Sequence, residues 1–241
     1  MRFLLFTLYA PMAAFGEVAV GERRMSWARP GRSAVLGLIA AALGRERREE
    51  AAHRELEVGL FYAVRTDAPG RPLVDYHTAQ TPRTRKRQVF ETRRAELEAG
   101  QRNTVLSTRE WRTDCCFTVA LWRRQNSKVD LEAVAAALKE PHFLLYAGRK
   151  AGPLGLPLNA EIIEADTFRA AFAGRVPSVE ERAVLQRIRV PGVACGELAY
   201  DDDAPGGSEN YRVERRRDAV SNRARWQFAD RLERVQEGGY E

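Results

Sequence analysis

Residues Phe3 to Tyr9 form a short apolar run rich in β-formers, which predicts a central strand that ends where Ala10-Pro11 begins. After a loop carrying Arg23, Arg24, Trp27 and Arg29, the sequence Pro30-Gly31-Arg32-Ser33 introduces a helix over 34–43. Ser33 stands as its N-cap and Gly44 as its stop. That segment is apolar nearly all round, so the helix is buried. A charged amphipathic helix over 45–57 and a strand over 60–65 come next. The run Cys116 to Trp122 predicts a strong strand, and 130–139 a second amphipathic helix with Asp130 at its start. Glycines and prolines between Leu145 and Leu158 forbid a regular element. Beyond them, 166–173 reads as a short helix and 186–190 alternates like a strand. Residues 201–207 form an acidic, solvated turn, and 212–225 is basic. Strand, helix, strand, then strand and helix, with an interrupted return, is the ferredoxin-like pattern on which RNA-recognition domains are often built.

One long block has no such periodicity. Between residues 79 and 113 nine cations stand against four carboxylates, and no apolar stripe runs through the middle. Such a segment has nothing to bury against a core. It is either a cationic excursion that grips a nucleic-acid backbone or a solvated loop that touches nothing. Net charge of +6 over 241 residues and a pI near 9.5 favour a polyanionic partner over an acidic one. At 44% hydrophobic residues the chain is long enough for one large or two small domains with a real core.

The same residues restrict the chemistry. Cys115 and Cys116 are adjacent, so on a strand they point to opposite faces and make a poor metal fork. Read as small strand hydrophobes, they indicate a reducing compartment, most simply the cytoplasm. The N-terminal apolar run is too short to span a membrane, and no signal-type cleavage site follows it. His53, His77 and His142 lack partners at metal-binding spacing, and there is no P-loop, dinucleotide fingerprint or nucleophile elbow. No metal or cofactor is expected. Metal-independent RNA cleavage would need a base and an acid, for which Tyr76, His77 and Lys86 are the available set. Ser33 and Arg32 at a helix start could seat a phosphate, or Ser33 could simply cap. Arg149 and Lys150 among small residues could do the same, or 145–158 could be a plain structural turn.

Five segments then converge on one family. Tyr-Ala-Pro-Met-Ala-Ala-Phe-Gly (9–16), Arg-Ser-Ala-Val-Leu-Gly-Leu-Ile-Ala-Ala-Ala-Leu-Gly (32–44), Asp-Tyr-His-Thr (75–78), Arg-Glu-Trp-Arg-Thr-Asp-Cys-Cys-Phe-Thr-Val-Ala-Leu-Trp (109–122) and Tyr-Ala-Gly-Arg-Lys-Ala-Gly-Pro-Leu (146–154) occur in that order. Together they resemble the CasD family, the guide-RNA 5′-handle-binding subunits of the type I-E CRISPR surveillance complex (Cascade). The match covers residues 3 to about 160 and weakens after that, apart from residues 223–231.

The resemblance implies an α+β fold: a modified ferredoxin-like, RNA-recognition-type domain over 1–160 with a smaller C-terminal β region over 161–241. It also implies that 75–114 form a protruding β-hairpin thumb. In such proteins the thumb lies beside the guide RNA handle and packs on the backbone subunit, with the large subunit and target DNA nearby. The subunit does not cut RNA, although a related subtype uses its counterpart as the processing nuclease. Carried over, the RNA-facing residues are Arg32 and Ser33 at the helix start, Tyr76, His77, Arg109 and Trp111 at the thumb's base, and Tyr146, Gly148, Arg149 and Lys150 in the glycine-rich loop. Arg29 and Arg85 extend that set. Arg32, Arg149 and Lys150 are expected on phosphates, and Tyr76, Trp111 or Tyr146 on bases, with Trp111 equally able to be core. The middle of the thumb, 83–101, departs from the family pattern in its density of arginine.

Overall fold

Both faces of the central strands are buried, which is why their sequences read as unbroken apolar runs. In β1 (Arg2–Ala13) the side chains of Leu4, Phe6 and Leu8 enter one apolar layer and those of Phe3 and Leu5 the other. A computed structural model describes residues 1–19, 21–83, 89–189, 195–225 and 227–238. After β1 come β2 (Phe15–Gly16), β3 (Arg23–Arg24) and β4 (Ser26–Trp27), then helices α1 (Arg32–Ala42) and α2 (Glu50–Gly59). Strand β5 (Leu60–Ala68), strand β6 (Arg71–Pro82), the short helix α3 (Arg93–Glu98) and strand β7 (Arg102–Arg123) follow. The remainder is α4 (Leu131–Lys139), β8 (Glu161–Glu164), α5 (Phe168–Gly174), α6 (Val179–Ile188), β9 (Leu198–Asp201), β10 (Arg212–Asn222) and β11 (Gln227–Gln236).

The architecture is mixed α/β, dominated by one large sheet. Its strands run β10-β11-β9-β5-β7-β1-β8, antiparallel along that path, with β6 also paired antiparallel to β7 and β3 paired parallel to it. Helices α1, α2 and α4 cover one face through Val35, Ile39, Leu56, Leu131, Val134 and Leu138. On the other face Phe168 and Phe172 of α5 pack with Trp122 and Tyr200, and the Trp122 ring stacks between Phe61 and Phe168 at 5.3 and 5.1 Å. Each such buried side chain contributes about 1.5–3 kcal/mol of apolar transfer. Among the described residues no helix is long and apolar enough to cross a membrane.

Several expected elements hold. Asp130 caps α4, accepting from the Glu132 and Ala133 amides, and Gly44 takes a left-handed φ of +73° immediately after α1 ends. Others need correction. Helix α1 starts at Arg32 with Gly31 as its N-cap, so Ser33 lies inside the helix and caps nothing; the Ser33 amide donates instead to Asp218 Oδ2 at 3.3 Å. Residues 186–188 are the last turn of α6, not a strand, because a Ser178–Glu181 capping box launches a helix through them; Val190 lies outside the described residues. Asp201 is not in a solvated turn but ends β9, where it is buried beside Arg32 and Arg124. The C-terminal residues extend the first 160 residues' own sheet, β8 pairing with β1 and β9 with β5.

Candidate nucleic-acid interface

Strand β7 does two jobs. Its second half, from Cys115, is buried between β1 and β5, while its first half leaves the core as a two-stranded ribbon with β6. Pairing runs from Arg71↔Thr113 at the base to Pro82↔Arg102, so the ribbon is about 40 Å long at roughly 3.4 Å per residue. The bend at the base is built locally. Asp114 takes φ +52° and Gly70 φ +67°, and a Cβ on Gly70 would meet the Thr113 carbonyl oxygen at 2.2 Å. Arg112 then bridges the bend, donating through Nη2 to Pro69 O at 2.8 Å and to Gly70 O at 3.3 Å. The described part of the polar, arginine-rich block is therefore a two-stranded ribbon in which no described residue from 71 to 110 is buried.

Three arginines gather where the ribbon meets the body. Arg24 lies on β3, which pairs with β7 so that Arg24 is opposite Arg109. Arg149 arrives from the glycine-rich loop. Its guanidinium lies 4.7 Å from the Trp111 ring centroid, and Nη1 and Nη2 reach the carbonyls of Glu110 and Arg24 at 3.3 and 3.4 Å. Among the described residues Arg24, Arg109 and Arg149 make no ion pair. Burial, together with the positive charges of Arg109 and Arg24, pushes the Arg149 pKa below its ordinary value. Lys150 next door is exposed and makes no ion pair among the described residues. Asp75 stands opposite Arg109 in the ribbon but bonds His77 and makes no ion pair with the cluster, and like charges left unpaired are the electrostatic arrangement an external polyanion relieves.

The loop that carries Arg149 is held by its glycines. Gly148 has φ +82° and a Cβ there would fall 1.9 Å from Ala14 O; at Gly152 it would meet Met12 O at 2.4 Å. The close approach those glycines permit is to the protein's own β1, and Tyr146 forms a bridge to Pro153 across the turn. Gly148 thus has a structural reason that needs no phosphate.

The other predicted residues divide sharply. Arg29 and Arg32 are buried inside an ion-pair network. Arg29 bonds Glu197, Glu214 and Glu233, and Arg32 bonds Asp201 at 3.2 Å and Leu60 O at 3.0 Å. The free amides expected at the start of α1 face the Asp218 carboxylate, an anion supplied from β10. Arg29, Arg32 and Ser33 are therefore engaged internally, and phosphate binding by this helix start is not supported. Trp111 is only 5% exposed, which removes it as a base-stacking surface. Tyr76, by contrast, is 63% exposed on the ribbon, while Tyr146 is half-buried. His77 is half-buried and bonds Asp75 on the same strand. Adjacent strand residues point to opposite faces, so Tyr76 and His77 do not converge. Arg85 and Lys86 lie outside the described residues. No group of three or more potential metal ligands occurs among the described residues. Sequence reasoning overlooked Arg24 as a site residue; the adjacent cations Arg23 and Arg24 between Glu22 and Met25 were the available signal.

The profile of the family described as CRISPR-associated protein (Cas_Cas5) matches residues 3–232, nearly the whole chain. The chain belongs to the CRISPR-associated Cas5 family. Within reach of this Cas5 chain is the Escherichia coli (strain K12) protein "CRISPR system Cascade subunit CasD", 29% identical over 183 residues, which are 73% of this chain and 77% of that one. A solved chain from a "CRISPR RNA-guided surveillance complex" superposes with a TM-score of 0.64 at 24% identity, covering 98% of this chain and 90% of its own. A second, "Crystal structure of Cas protein", gives 0.55 at 25% identity over 99% and 95%. The shared fold thus extends through the C-terminal strands, where the motif resemblance was weakest.

Proposed function

We propose that this Cas5 chain is a non-catalytic subunit of a cytoplasmic CRISPR surveillance complex of the Cascade type, and that it holds the 5′ handle of the guide RNA at the base of its ribbon. The observation that carries this reading is the unpaired Arg24, Arg109 and Arg149 cluster beside a projecting hairpin. Phosphates neutralise that cluster, and exposed Tyr76 offers an aromatic surface for a base. The similarity to a Cascade CasD subunit supports assembly with a backbone subunit along the ribbon, and with a large subunit and target DNA nearby. The central order β8-β1-β7-β5, with helices in both crossovers, supports a modified ferredoxin-like core. The test is guide-RNA retention in the complex purified with Arg24→Ala, Arg109→Ala and Arg149→Ala combined. Loss of the RNA from an otherwise folded subunit is expected; unchanged retention would refute the site.

The second reading, a metal-independent ribonuclease, draws on one observation, the His77–Asp75 contact, which could orient an imidazole as a general base. Incubating the purified chain with labelled repeat RNA in EDTA decides it. Intact RNA is expected, whereas a single cut abolished by His77→Ala would promote the nuclease.

A further inference from the structure

Trp111 and Arg149 act as a unit. We propose that Trp111 is a positioning residue for the RNA contact: its ring holds the Arg149 guanidinium in place at the ribbon base without neutralising it. This rests on the handle-binding reading above and deepens it. Only 5% exposed as a residue, Trp111 offers no face to a base, so its value at the site lies in what it supports.

The physical case is one of elimination among anchors. Among the described residues Arg149 has no carboxylate partner, and its two carbonyl contacts, at 3.3 and 3.4 Å, are at the long end for hydrogen bonds. Arg24 and Arg109 repel it, and burial disfavours its charge. The remaining attraction is the indole ring 4.7 Å away, whose negative face draws a cation. A carboxylate in the same place would fix Arg149 equally well, but it would cancel the charge a phosphate needs. An aromatic ring anchors the guanidinium and leaves its positive charge available. The strand geometry makes the arrangement coherent. Trp111 and Arg109 are two residues apart on β7, so both side chains lie on one face of the ribbon, opposite Leu73 and Asp75. The indole Nε1 is buried and has no hydrogen-bond partner among the described residues, so exchange for Phe forfeits no bond there.

The experiment measures binding of the purified full-length chain to a fluorescently labelled single-stranded RNA carrying the handle sequence, over a series of salt concentrations. Melting temperatures are followed in parallel. For Trp111→Leu the expected result is a loss of about 3- to 10-fold in affinity. Its slope of log affinity against log salt should be shallower by about 0.7, as for one lost phosphate contact. Trp111→Phe should retain most of the affinity and the slope. In the Arg149→Ala background, Trp111→Leu should have no further effect. If the leucine variant does not fold, Trp111→Met supplies volume without a π-face and takes its place in the cycle. Additive losses in the double variant, or a phenylalanine variant as weak as the leucine one, would overturn the positioning role. A wild-type chain that fails to bind the RNA would overturn the handle-binding reading as well. Wild-type binding with an unaffected leucine variant removes only the role of Trp111.

Discussion

Two groups of arginines lie at opposite ends of this molecule's electrostatics. Beneath β9, β10 and β11, Arg29, Arg32, Arg124, Arg212, Arg216 and Arg231 interlock with Glu197, Asp201, Asp203, Glu214, Asp218 and Glu233. At the ribbon base Arg24, Arg109 and Arg149 sit together and form no ion pair among the described residues. The first group is balanced, buried at its centre and exposed only at Arg212 and Asp203, and the acids around Arg29 and Arg231 hold those guanidiniums well above their ordinary pKa even though burial opposes the charge. The second is unbalanced, and burial with like-charged neighbours lowers Arg149. Basic composition alone therefore says little about where a polyanion binds. Arginines whose charge is already spent fasten the C-terminal strands to the body, and only the remainder can recruit RNA.

The largest effect should come from breaking the balanced group. Glu233 is fully buried and serves Arg29, Arg216 and Arg231 at once. Glu233→Ala removes the ion-pair partner of buried Arg216 and one of the carboxylates on Arg29 and Arg231, and should cost about 3–5 kcal/mol in urea unfolding; a loss under 1 kcal/mol, on the order of a surface substitution, would show that the network is ornamental. A smaller, pH-dependent effect should appear at the paired Arg175. There burial pushes the Glu181 carboxyl up, but hydrogen bonds from Arg175, Asn159 and Thr7 outweigh it and bring the pKa down to about 2 from an ordinary 4.5. A carboxylate lowered on folding stabilises above its unfolded pKa and loses that contribution as pH falls through the folded one. Wild-type stability should therefore decline between about pH 4.5 and pH 2, and Glu181→Gln should flatten that portion of the profile. Equal slopes would dissolve the distinction between paired and unpaired arginines at this site. The smallest change in stability belongs to the unbalanced group: Arg109→Ala should leave unfolding within about 0.5 kcal/mol of wild type while weakening RNA binding. Clear destabilisation without a binding defect would transfer Arg109 to the structural class.

The sequence showed what is local. Asp130 with its helix, Gly44 as a stop and the apolar strands each declare themselves within a few residues, and all were legible. The hairpin was legible as an interruption, because a polar segment that long has no core to join. The fate of Arg29 and Arg32 was not legible, since their partners lie far along the chain; Arg29 and Glu233 are 204 positions apart. In sequence a buried arginine and an RNA-binding arginine look alike. Helix α6 was misread for a different reason. Its Ser-Val-Glu-Glu start was present at 178–181, but alternation at 186–188 masked the last helical turn. Trp111 occupies the boundary between core and ribbon, so pattern alone left its burial open.

Because β7 is one continuous strand, the ribbon inherits its alignment from the core. Val119 lies opposite Phe6 on one side and Val64 on the other, and that alignment fixes which residues emerge at the far end. A slip of a single position among those packed side chains would turn Arg109 to the ribbon's reverse face and leave Glu110 in its place. On the proposed function, variants that alter guide-RNA capture are therefore expected at apolar core residues as well, far from the contact, with every interface residue intact.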